Sequence, residues 1–272
     1  VPISEFYQTD KSGNSDVSDC LAVYARNTWP PRRTVGLIDQ VIEHMTAEPL
    51  VLSGKIGQHH FHGKTSRVLP RVHKIAKELG SEALDHHCHI WAGDTYQEED
   101  VLFPSPVCVL VTNSQRSGRA AIIAVRKSAG KIDEFKNLRP LFLNKFDPVY
   151  GHEHTIFSKF GPSCFLNGDA SIPKGESWTA NPERRALLQR WQTRLRSTEL
   201  FQKVEVRGLF PKNYIQGNWL NESAELAQIV QQYGAVEPSG DPKFVLWCLD
   251  LGEAMLAEQE LLRHHLIVDN RI

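Results

Sequence analysis

Twelve histidines fall unevenly along the 272 residues of this chain. His59, His60 and His62 lie in QHHFHG, His86, His87 and His89 in DHHCH, and His152 and His154 in GHEH, which makes three H-x-H units. In extended backbone, residues i and i+2 project to the same side, so each unit can offer two imidazoles to one ion. On a helix the same two side chains diverge by about 200°. The chemistry this pattern suggests is metal binding, on the condition that the three segments are strands or loops.

The middle unit is the richest, because His87 and His89 are followed by Asp94. Two imidazoles and a carboxylate leave open positions on a divalent metal, zinc in preference to iron. Such an ion lowers the pKa of a bound water and makes it a nucleophile, so the expected function is a metal-dependent hydrolase. His152 and His154 are further candidate ligands, with His86 or Glu153 moving the proton. Cys164, in GPSCFLNGD, shares a long loop with His152, His154 and Asp169 and is the candidate for an imidazole-activated nucleophile. Against these stand plainer roles: a histidine in a loop is more often solvated or hydrogen-bonded than metal-bound, and a cysteine more often a small buried hydrophobe. His264 and His265 read as helix-end residues that complement the helix dipole.

Asp85–His86, Asn144 and His152 partly resemble the site of HNH nucleases, in which an Asp-His pair and a later Asn and His sit on a ββα unit. That resemblance implies phosphodiester cleavage, although Asp85 and Asn144 are further apart than the compact motif has them. The order of His87, His89 and Asp94 is similar to the first cupin motif, with Asp for the usual Glu and no glycine following. Arg184, Arg185, Arg190 and Arg194, with Arg196, Lys203 and Arg207 beyond, offer a basic helix that could follow a phosphate backbone. A solvated helix face accounts for the same pattern.

Several chemistries are disfavoured. No C-x-x-C occurs, which argues against a cysteine zinc knuckle and the base deaminases, and the five scattered cysteines do not form a disulfide framework. G-x-G-x-x-G is absent, and GQHHFHGKT has one residue too many between Gly57 and Gly63 for a phosphate loop. A net charge of -1 gives no global attraction to nucleic acid or to an anionic membrane. The apolar runs Val107 to Val111 and Phe244 to Leu249 fall well short of the roughly 18 residues of a spanning helix. A soluble, cytoplasmic protein is expected, with a small-molecule or phosphodiester substrate and no membrane partner.

The elements that must carry these residues read as one α+β domain. Residues 1–33 lack periodicity and read as irregular; 34–180 form a mixed part; 181–272 form a helical part. Helices are expected over 34–47, 66–79, 131–144, 181–202 and 221–233, and another after Asp241-Pro242 with Phe244, Trp247, Leu251 and Met255 as its apolar stripe. PVCVLVT and AAIIAVR, across a turn-rich linker, predict a β-hairpin at 106–126 that is covered on both faces. The expected architecture is therefore a small, mostly antiparallel sheet with packed helices, a helical C-terminal third and a long loop over 147–180, with TIFSKF as its strand candidate, of the kind that carries active sites. The competing functional class is a binding protein with incidental histidines, whose C-terminal helical region docks a partner.

Overall fold

The computed structural model describes residues 17–26, 30–45, 50–79, 86–92, 107–114, 118–127, 132–157 and 201–267, together with residues 166, 186, 189 and 193. Its frame is one ten-stranded antiparallel sheet. The strands are β1 (Val17–Tyr24), β2 (Leu50–Ile56), β3 (His59–Lys64), β4 (His86–Ala92), β5 (Val107–Ser114), β6 (Gly118–Arg126), β7 (Tyr150–Phe157), β8 (Lys212–Gln216), β9 (Ala235–Pro238) and β10 (Phe244–Cys248). They lie in the order β3-β2-β4-β5-β6-β1-β7-β8-β10-β9.

Six described helices form two layers. α1 (Pro31–His44), α2 (Thr65–Leu79) and α3 (Ile132–Lys145) cover one face, where Val35, Ile38, Val72, Ile75, Leu138 and Phe142 join Leu21, Val23, Ile123 and Val109 in one apolar cluster. α4 (Gly217–Glu222), α5 (Ala224–Gln232) and α6 (Leu251–Arg263) cover part of the other, where Trp219, Leu226, Ile229, Ala257 and Leu261 pack with Ala22, Tyr24, Ile122 and Trp247. The central strands β5, β6 and β1 thus meet apolar side chains on both faces. That is why their sequences run apolar without alternation. At the β2–β3 hairpin Gly54 is required sterically: a Cβ there would stand 2.2 Å from the His87 carbonyl oxygen and 2.9 Å from the Phe61 ring.

The expected hairpin is β5–β6, paired from Val107↔Val125 to Ser114↔Gly118. The sheet around it is large, not small, and strands arise where none was expected. β1 lies inside the segment read as irregular, whereas β7 overlaps TIFSKF, the strand candidate of the 147–180 stretch, and begins five residues before it. The C-terminal third is not purely helical, since β8, β9 and β10 belong to it. Phe244–Cys248, expected as the start of a helical stripe, is strand β10, and the helix begins only at Leu251. There Asp250 accepts from the Glu253 amide while Glu253 bonds the Asp250 amide, a reciprocal capping box. The expected 221–233 helix is two helices with Ser223 between them as the cap of α5. Most of the expected 181–202 helix lies outside the described residues. No described helix is long and apolar enough to cross a membrane.

Candidate functional site

All three H-x-H units are strand residues, as a shared ligand role requires, and the register places them on one face. His62 stands opposite Ser53, Ser53 opposite His89, and the same row continues through Leu110, Ile122 and Ala22 to His152. Alignment is not convergence. His62 and His89 are two strand steps apart, about 10 Å, and His89 and His152 four steps, about 19 Å. The larger separation exceeds what two histidine side chains can bridge to one ion at bonds of about 2 Å, and the His62 ring packs instead against Trp91, 5.9 Å between centroids. Among the described residues, no group of three or more His, Cys, Asp or Glu side chains could hold a metal ion.

The pair on β4 comes nearest to the expectation. The His87 and His89 rings are 5.9 Å apart, edge to face, with His87 exposed and His89 half-buried. Burial, with the neighbouring His87 adding to it, holds His89 down at about 4, so this imidazole is neutral at pH 7. The third expected ligand, Asp94, lies outside the described residues.

His152 and His154 are in a different setting, fully enclosed on β7. Their Nδ1 atoms are 3.1 Å apart, so one ring donates to the other, and Phe210 stacks on His152 at 3.6 Å between centroids. Around them stand Tyr24, whose hydroxyl lies 3.5 Å from His152 Nε2 and bonds the buried Arg207, and Tyr150, which donates to the Gly208 carbonyl (2.7 Å) and to Asn213 (3.1 Å). Burial pushes both imidazoles well below the ordinary histidine range. The partner imidazole and Arg207 push His152 further the same way, and Arg207 does so for His154. The arrangement is a buried polar core, two neutral imidazoles beside the Arg207 guanidinium, that joins β1 and β7 to the 201–213 segment. Arg207, grouped in the sequence with phosphate-tracking cations, is 1% exposed and belongs to this core.

The two expected proton carriers point away from their expected partners. His86 alternates with His87 and faces the α1 side, where its Nε2 lies 2.5 Å from Thr34 Oγ1 and its Nδ1 3.5 Å from Asn113 Nδ2. Glu153 alternates with His152 and His154 and also faces that side. There it bonds the Tyr214 hydroxyl and pairs with Arg139 at 3.3 Å and Lys212 at 3.4 Å. The HNH-like set is dispersed for the same reason: His86 and His152 lie on opposite faces, and Asn144 is exposed on α3. Asp85, Cys164, Arg184, Arg185, Arg190 and Arg194 lie outside the described residues.

What the motif reading missed is the polarity of the sheet's two ends. All four exposed large hydrophobic residues among those described, Val236 (55%), Leu251 (56%), Met255 (49%) and Leu256 (53%), lie on β9 and α6. α6 is therefore apolar on both sides, with Ala254, Ala257 and Leu261 inward and Leu251, Met255 and Leu256 outward. Gly217 to Arg263 carries eight carboxylates against Lys243 and Arg263, a net charge of -6. The opposite end is basic: Leu50 to Leu79 sets Lys55, Lys64, Arg67, Arg71, Lys74 and Lys77 against Glu78 alone, a net +5.

No protein-family model matches the sequence, and no curated protein matches it. Among solved structures the chain is similar to a Pseudomonas aeruginosa T6SS protein, PA0821, at 11% sequence identity and a TM-score of 0.47, over 91% of this chain and 72% of that one.

Proposed function

We propose that this chain is a non-catalytic binding protein and that it docks a partner protein at the β9–α6 end of its sheet. The observation that carries the reading is the outward apolar face of α6 beside the exposed edge strand β9. A helix apolar on both sides is at rest only when both are covered, and exposed apolar residues gathered in one place mark interaction sites. Carboxylates flanking that centre, Glu258 and Glu260 on α6 among them, give it the anatomy of an interface with a charged rim. The fitting partner presents an apolar anchor ringed by Lys and Arg. A second copy of this chain does not fit, because its basic end displays no exposed large hydrophobic among the described residues. Three of the histidines have structural work: His86 bonds Thr34 on α1, and His152 and His154 fill the core.

A photo-crosslinking side chain at the exposed position Gln259 tests the proposal, with the same group at Lys136 on α3 as the control. One discrete heterologous adduct from Gln259, lost when Met255→Glu and Leu256→Glu are added, is the expected result. Equal adducts from both positions, or a self-adduct, would overturn it.

A second reading keeps the hydrolase expectation alive at β4. His87 and His89 share a face and His89 is neutral, which fits two positions of a tetrahedral site; the Asp94 expected from the sequence as a third ligand lies outside the described residues. A divalent ion bound there would provide an activated water. Zinc titrated into the purified chain should then bind at one equivalent and raise the thermal midpoint, and His87→Ala with His89→Ala should abolish both effects. Zinc binding that survives this double substitution would remove the reading.

A further inference from the structure

We infer that the groove between α1 and α2 is a binding site for a compact anion carrying two or more negative charges, a phosphate ester or a polycarboxylate. The groove has a volume of about 630 Å³ and is open to solvent. Arg32 from α1 and Lys74 and Lys77 from α2 line it, so three cations from two elements face one space. The one carboxylate in the lining is already engaged: Asp39 accepts from His73 Nε2 at 2.9 Å across the two helices. Lys74 has only a 3.8 Å contact with Glu78, with both side chains more than half exposed, an arrangement that holds a lysine weakly.

The floor of the groove gives the site a shape as well as a charge. Gly36 lines it, and apart from its own turn of helix nothing stands within 4 Å of where a Cβ on that residue would be. The ligand can therefore reach the α1 backbone between the cations. An extended polyanion lying over the helix tops would gain nothing from that depth, which is why a compact anion is favoured. Two or more charges are needed to engage both helices at once.

Calorimetric titration of the full chain with inorganic pyrophosphate and, separately, with citrate tests the inference. Saturable one-to-one binding of at least one of them is expected, pyrophosphate alone marking a phosphate site and citrate alone a carboxylate site. Lys74→Glu with Lys77→Glu should weaken it at least tenfold, and Lys136→Glu on α3 should leave it unchanged. Gly36→Leu fills the floor and keeps every charge, so it should also abolish binding, whereas loose attraction to a basic surface would survive it. Circular dichroism and the thermal midpoint check that each variant is folded. Absence of saturable binding by both anions, or binding indifferent to Gly36→Leu, would overturn the proposal.

Discussion

Two neighbouring histidines, His86 and His87, do opposite work because a strand's side chains alternate between its faces. His86 is 1% exposed and bridges Thr34 on α1 and Asn113 on β5, both buried. Replacing it by Leu leaves two enclosed polar groups without their shared partner, and should cost about 1–3 kcal/mol in urea unfolding. His87→Ala, on the exposed face, should stay within about 0.5 kcal/mol. Similar losses for the two would show that the Thr34–His86–Asn113 chain contributes little. At this scale the sequence was partly legible. H-x-H spacing correctly implied shared faces, but nothing in DHHCH told which histidine was turned inward. That depends on the register of β4 against β2 and β5, a long-range property.

β7 carries two of the buried histidines through which stability depends on pH. His152 and His154 are buried and held well below their unfolded value of about 6.5, and His89 on β4 is held at about 4. Once the pH is about a unit above 6.5 these imidazoles are neutral in both folded and unfolded chains and contribute no pH dependence. Below it the unfolded chain takes up protons that the folded one refuses, so stability falls as pH falls, by up to about 1.4 kcal/mol per pH unit for each histidine. The urea midpoint should therefore drop between pH 6.5 and 4.5, and His152→Asn with His154→Gln should flatten the drop. A profile equally steep in that variant would place the sensitivity elsewhere. Reading elements from pattern failed where short apolar runs are ambiguous. Phe244–Cys248 fits a helical stripe joined to Leu251 and Met255, yet it is a strand. The better signal was the D-L-G-E beginning at Asp250, a capping box that marks where the helix starts.

Across the whole molecule, a net charge of -1 conceals a separation of charge along the sheet, from +5 over Leu50 to Leu79 to -6 over Gly217 to Arg263. Composition erased this because it sums over the chain, and only strand order, with β3 and β9 at opposite edges, turns the two stretches into opposite ends. The small sheet expected from one strong hairpin failed similarly: largely exposed edge strands such as β3 and β9 carry too few apolar residues to announce themselves. The separation has a kinetic consequence for the proposed docking. Carboxylates around the α6 apolar face should steer a basic partner, so raising ionic strength from about 0.05 to 0.3 M should slow association severalfold and change dissociation little. Glu258→Lys with Glu260→Lys should lower the association rate and its salt dependence together, while Leu256→Ala should act mainly on dissociation, since apolar contact forms after encounter. Surface plasmon resonance with the crosslinked partner separates the two rates. An association rate indifferent to salt and to both charge reversals would mean that the acidic rim takes no part, leaving the apolar face of α6 to account for recognition alone.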